Sequence, residues 1–176
     1  SSARFIESSS MVVEAVGGDG LPKEENASTT RERGIDVCLV GDSLAMVACG
    51  YTSTTSLGLD ELLYHCRSVA RGCHSSLLVS DMPFGSFIAS VSEGVNNAVR
   101  IIQEGHMDAV KIEGGEEVAE LIKRLTAVGI PVMGHVGLKP QRQAASSGFR
   151  VQGRTKETAV RVYREAKAIE AAGAFS

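Results

Sequence analysis

The sequence predicts an α/β fold in which a parallel sheet is covered by helices, and two observations carry that reading. Five glycines, Gly34, Gly72, Gly105, Gly129 and Gly173, each close a polar or helical stretch and are followed within a few residues by a short apolar run. Between those runs, apolar residues recur three and four positions apart, the spacing of one helix face. Strands alternating with amphipathic helices give a parallel sheet, because each parallel crossover needs a long connection.

Residues 1–33 stand outside this repeat. "MVVEAV" has strand character, but "GGDGLPKEENASTTRERG" is polar, holds four glycines and shows no apolar stripe, so it reads as loop. From Gly34 onward the apolar runs are "IDVCLVGD", "SSLLVSD", "DAVKIEGG", "IPVMGHVG" and, at the end of the chain, "AFS". Leu59, Leu62, Leu63, Cys66 and Ala70 form the first helical stripe, and Val95, Ala98, Val99 and Ile102 the second. Val118, Leu121, Ile122 and Leu125 form the third, and Val160, Tyr163, Ala166 and Ile169 the fourth. Ser90 and Glu93 have the spacing of a capping box, and the glycines suit the left-handed residue that closes a helix. The pattern fits a (β/α)8 TIM barrel or an open doubly wound sheet equally well. Repeats average about 35 residues and a closed barrel of eight needs roughly 250, so about five units make an incomplete barrel if they make one.

Composition narrows the partners. At 176 residues and 43% hydrophobic content the chain can bury a sizeable core, and its net charge of −3 comes with no basic block. Nucleic acid and anionic membrane surfaces are therefore poor partners, and a small molecule fits better. Cys38, Cys49, Cys66 and Cys73 lack C-x-x-C spacing and read as packed, reduced thiols. No run approaches the length of a membrane span. The start "SSARFIESSS" is at best the remnant of a transit segment, with Glu7 and Glu14 close by. An intracellular protein is expected, cytoplasmic or in the mitochondrial matrix.

The stretch "MDAVKIEGGEE" places Lys111 and Glu113 two apart inside an apolar strand, so both charges point to one face. Function in parallel α/β folds collects at the carboxyl ends of strands, and here those ends deliver Asp42 and Ser43, Asp81, Lys111 and Glu113, and His135. Taken singly, Asp42 suits a helix cap and His135 a structural histidine. Three carboxylates against one ammonium, however, leave about −2 at one rim, and like charges held close repel. A hard divalent cation such as Mg2+ would balance them, with Glu113 serving the ion directly or through water and Lys111 meeting an anionic substrate. A structural Lys–Glu–Asp network is the competing reading. "GGEE" at 114–117 has the glycines of a phosphate loop, but the acids that follow disfavour phosphate, and Ser43 has no neighbouring base that would make it a nucleophile.

Together, "VGDSLAM", "LLVSDMPFGS", "VKIEGG", "GIPVMGHVGLKPQ" and "GFRVQGR" resemble the ketopantoate hydroxymethyltransferase (3-methyl-2-oxobutanoate hydroxymethyltransferase) family, from about Gly34 to Gly173. The resemblance implies a (β/α)8 barrel of the phosphoenolpyruvate-binding type, Mg2+, a homo-oligomer that is often a decamer, and 5,10-methylenetetrahydrofolate as one-carbon donor in pantothenate biosynthesis. It implies that Asp42 and Asp81 hold the metal with Glu113 completing its site, that Ser43 and Lys111 hold the keto acid, and that His135 lines the pocket. An α-keto acid would chelate the ion, and the enolate formed by loss of the C3 proton would add to the methylene carbon to give 2-dehydropantoate.

The sequence departs from the family at several points. The family's threonine-alanine-tyrosine-aspartate strand has no counterpart before "VGDS", Ala45 replaces a usual glycine, and "GYTSTTS" replaces a loop containing histidine and aspartate. The general-base glutamate belongs to a strand after "EAAGA" and is expected beyond Ser176, so the chain reads as incomplete for turnover. The expected division is an irregular N-terminal segment, 1–33, not matching the family, and a partial barrel, 34–176, that carries the metal and keto-acid site. Two alternatives stay open: another Mg2+-dependent keto-acid lyase or mutase of the same barrel superfamily, and a non-enzymatic receiver-like module built on strand-end Asp, Asp and Lys.

Overall fold

The computed structural model describes residues 5–7, 35–142 and 151–176. Five parallel strands form one sheet: β1 (Phe5–Glu7), β2 (Val37–Val40), β3 (Leu77–Asp81), β4 (Ala109–Glu113) and β5 (Val132–His135). They are hydrogen-bonded in the order β1-β2-β3-β4-β5. A doubly wound sheet reverses its strand order at a switch point, whereas a barrel adds each strand beside the last. The sequential order therefore makes this an arc of a (β/α) barrel, and it removes the reversal that a receiver-like module needs. Phe175 N donates to Val132 O at 3.0 Å and Gly134 N to Ser176 O at 2.8 Å, so the final run "AFS" lies along β5 as the repeat predicts.

Residues 1–33 are not wholly irregular. Phe5–Glu7 pairs in parallel with Val37–Leu39, a strand of three residues and too short for its alternation to register as a pattern. The strand expected at "MVVEAV" lies outside the described residues.

Helices α1 (Leu44–Val47), α2 (Leu59–Gly72), α3 (Val91–Gln103), α4 (Ala119–Ala127) and α5 (Lys156–Ala171) follow β2 to β5 as the repeat requires. The main core lies between sheet and helices, with Cys38, Val40, Leu78, Val110, Ile112 and Val132 of the strands meeting Leu62, Leu63, Ile101, Ile122 and Leu125 of the helices. A smaller cluster, Val37, Leu39, Val79, Ala109 and Met133, covers the opposite face of the sheet, the interior side of the arc. No helix among the described residues is long and apolar enough to cross a membrane.

The third helical stripe is buried as expected, whereas the fourth is borne out only in its second half: Ala166 is half-buried and Ile169 buried, but Val160 and Tyr163 are exposed, and Glu165 takes a place on the inward side of α5. The cause is polar. Glu165 accepts a hydrogen bond from Lys139 Nζ at 3.0 Å and packs against Gly115, which rotates the helix away from its most apolar face.

Glycine closes helices in the left-handed conformation at Gly129 (φ 87°) and Gly173 (φ 102°). Gly72 is instead the last residue of α2, and after α3 the left-handed residue is His106 (φ 58°). Gly105 is needed for closeness, since a Cβ there would lie 2.5 Å from Ile101 O and 3.2 Å from Cys66 Cβ. Ser90 caps α3 by accepting from Glu93 N at 3.1 Å. None of the four cysteines is in a disulfide, and burial pushes Cys38 and Cys66 each up to about 11, in keeping with inert packing groups.

Candidate active site at the strand ends

Alternation along each strand decides which side chains enter the arc. In β4, Val110 and Ile112 face the helices while Ala109, Lys111 and Glu113 face the interior; in β3, Val79 and Asp81 do the same. Register then sets neighbours: Asp81 lies opposite Lys111, and Glu113 opposite His135. Val79 and Ala109 form an apolar floor one interior-facing position before Asp81 and Lys111, and Met133 pairs beside Lys111.

Lys111 Nζ makes a short ion pair with Asp81 Oδ1; their side chains are only 12% and 4% exposed. Burial opposes the charge on Lys111, but Asp81, with Glu113 and Asp42 beyond it, outweighs that and holds the ammonium above its ordinary range. The second oxygen of Asp81 accepts from Asp42 N at 2.9 Å, which ties the β2 turn to β3. Asp42 itself is buried, 4% exposed, and its carboxyl is raised to about 6 by burial and by the facing charge of Asp81, with Glu113 adding to it. Glu113 accepts from Gln141 N at 3.1 Å through Oε2, and its Oε1 lies 3.3 Å from His135 Nδ1 without the alignment of a hydrogen bond.

The sequence-predicted residues therefore converge on one end of the sheet. Asp42, Asp81, Lys111 and Glu113 interact directly through charge, and His135 borders them with its side chain 29% exposed. Ser43 opens the turn after Asp42; its Oγ is buried and has no hydrogen-bond partner among the described residues. Gly41 keeps the space beside it clear, since a Cβ there would come within 3.2 Å of Ser43 Oγ and 3.6 Å of Asp81 Oδ2.

Gln141 was not singled out by sequence reading. It sits in a single 3-10 turn, Pro140–Arg142, after β5, and its Nε2 donates to Asp42 Oδ2 and to Met82 O, each at 2.9 Å. Ninety-nine positions separate it from Asp42, and no local spacing signals the contact. Among the other departures, Ala45 is fully buried in the core, and "GYTSTTS" forms a turn in which Ser53 caps Thr54–Ser56.

No three His, Cys, Asp or Glu side chains among the described residues form a ready-made cage for an ion. Asp81 and Glu113 are each turned toward protein donors. Mg2+ does not require such a cage, being held by one or two carboxylates while water and substrate complete the octahedron. The donor set fits that mode: two adjacent aspartates with one of them held against its charge, an orphaned buried hydroxyl, and a glycine that leaves room.

Comparison with known proteins agrees with this geometry. The sequence model described as ketopantoate hydroxymethyltransferase matches residues 23–176. Proteins named 3-methyl-2-oxobutanoate hydroxymethyltransferase are similar to the chain: that of Emericella nidulans is 53% identical over 142 residues, covering 81% of this chain and 41% of the relative. Those of Heliobacterium modesticaldum and Pyrococcus abyssi are 48% and 49% identical, covering 82% and 81% of this chain and 52% and 50% of the relatives. The chain thus spans about half the length of the curated relatives it matches. With sequential parallel strands, acids gathered at their carboxyl ends and a family match over residues 23–176, this chain belongs to the ketopantoate hydroxymethyltransferase family.

Proposed function

We propose that the strand-end site binds 3-methyl-2-oxobutanoate together with Mg2+, as the keto-acid half of a hydroxymethyl transfer from 5,10-methylenetetrahydrofolate that yields 2-dehydropantoate. The observation that carries the reading is the carboxyl of Asp42, buried, facing Asp81 and raised to about 6, an arrangement that a divalent cation relieves. Asp42 and Asp81 would hold the ion, with Glu113 behind them, anchored to Gln141 N. Bound Mg2+ supplies a Lewis acid for the negative charge that develops on the keto oxygen.

The remaining work falls to side chains. Lys111, fixed by Asp81 on the interior face, offers its other protons to the substrate carboxylate. Ser43 Oγ, buried and lacking a partner among the described residues, donates to a substrate oxygen and so acquires the hydrogen bond it lacks. His135 closes one side of the pocket beside Glu113. Assembly as a homo-oligomer, a decamer by family resemblance, and the folate donor belong to the same proposal.

Calorimetric titration tests it. The keto acid is expected to bind in the presence of Mg2+ and at least about tenfold more weakly in EDTA, a difference of roughly 1.4 kcal/mol. Oxaloacetate and phosphoenolpyruvate are expected to bind more weakly than 3-methyl-2-oxobutanoate. Preference for either of those would favour a lyase or mutase of the same superfamily, and metal-independent binding would overturn the role given to the acids.

A further inference from the structure

We infer that Gln141 is a positioning residue for the metal site, orienting Asp42 so that one chosen carboxylate oxygen meets the ion. The inference rests on the reading of the strand ends as a Mg2+ site.

One residue joins three strand ends. The two protons of Gln141 Nε2 are spent on Asp42 Oδ2, at the end of β2, and on Met82 O, directly after β3, both at 2.9 Å. Its backbone N–H goes to Glu113 Oε2, at the end of β4, at 3.1 Å. The residue is 5% exposed, so these bonds have no competition from water. Met82 O belongs to a fixed backbone, since Met82 N donates to Lys111 O at 2.9 Å. A donor anchored to that carbonyl cannot follow Asp42 if the carboxylate rotates, and this turns the contact into a constraint on rotation. With Oδ2 engaged, Oδ1 would be the oxygen left for the ion.

The residue type matters as much as the contact. A lysine or arginine here would satisfy Asp42 with a charge and compete with the cation. A glutamate would add a fourth acid and remove both donors. An amide holds the carboxylate while leaving its charge to be balanced from elsewhere. Through the neighbouring Glu113 bond the same 3-10 turn also sets the height of the acid behind the ion.

The test is Mg2+ affinity of the chain with 3-methyl-2-oxobutanoate present, by calorimetry, for the wild type, Gln141→Met and Leu125→Ala. Leu125 is a fully buried residue of α4 in the core between sheet and helices, whereas the acids lie on the interior face of the sheet, so its truncation supplies a loss of stability without altering a residue of the site. Gln141→Met is expected to weaken Mg2+ binding by about 10- to 100-fold, the range for residues that orient metal ligands, while Leu125→Ala leaves it unchanged. Affinity of Gln141→Met within twofold of wild type, or an equal loss in Leu125→Ala, overturns the inference and leaves the Mg2+ site standing. Absence of Mg2+ binding by the wild type overturns both. A measurement that needs no variant accompanies it: the Gln141 side-chain amide resonances of the wild type are expected to shift on Mg2+ addition, and their indifference to a bound ion contradicts a positioning role.

Discussion

Replacing Asp42 by asparagine should stabilise the metal-free protein. The carboxyl of Asp42 is raised from its ordinary value of 3.8 to about 6, first by burial and then by the facing Asp81, with Glu113 adding to it and the hydrogen bond from Gln141 and the charge of Lys111 opposing. Below pH 3.8 the group is protonated in folded and unfolded chains alike, and its ionisation costs nothing. Between 3.8 and about 6 the folded chain keeps a proton that the unfolded chain has released, so stability falls as pH rises. Above about 6 the full cost is present, and at roughly 1.4 kcal/mol per pH unit it amounts to about 1 to 3 kcal/mol once residual solvent screening is allowed for. Asparagine keeps an acceptor for Gln141 Nε2 and removes the charge. Urea unfolding of both proteins in EDTA, from pH 4 to 8, isolates the effect as a difference curve. That curve should be near zero at pH 4 and favour Asp42→Asn by about 1 to 3 kcal/mol at pH 7.5. Saturating Mg2+ with the keto acid should raise the stability of the wild type but not that of the variant. A variant less stable than wild type at pH 7.5 without metal, or a difference curve that is flat with pH, refutes the reasoning.

Lys111→Met leaves Asp81 buried without its cation and should cost about 3 to 5 kcal/mol by urea unfolding at pH 7, whereas unchanged stability would mean that the pair carries no structural charge balance. Ser43→Ala removes a buried hydroxyl with no partner among the described residues; the metal-free melting temperature should hold or rise slightly while keto-acid affinity falls by up to about tenfold in calorimetry. In Gly115→Ala the new Cβ would meet Glu165 Cγ at 2.4 Å and push on the Lys139–Glu165 pair, costing about 1 to 3 kcal/mol in the same unfolding assay.

What was legible in the sequence was what repeats or alternates. The strands announced themselves as apolar runs after glycines, and Lys111 and Glu113 two apart were enough to place both charges on the interior face, where the structure has them. Asp42, Asp81 and His135 followed from their places at strand ends. The pattern did not decide between barrel and doubly wound sheet, because each β-α-β unit reads alike in both; the sequential pairing of β1 to β5 decides it. Phe5–Glu7 escaped because three residues carry no measurable period. The orientation of α5 escaped for a different reason: the Lys139–Glu165 pair and the close approach at Gly115 turn a glutamate inward at the expense of Val160 and Tyr163. Gln141 escaped because its partners lie 28, 59 and 99 positions away, and only the fold brings them together.

The central claim is that Asp42 and Asp81 share one divalent cation at the ends of neighbouring strands. Anomalous scattering from crystals soaked in Mn2+ and 3-methyl-2-oxobutanoate tests it most directly. A single strong peak within bonding distance of oxygens from both aspartates, lost in Asp81→Asn, is the predicted result. Well-ordered crystals with the keto acid bound and no peak between those carboxylates, or a peak held by other residues, would contradict it.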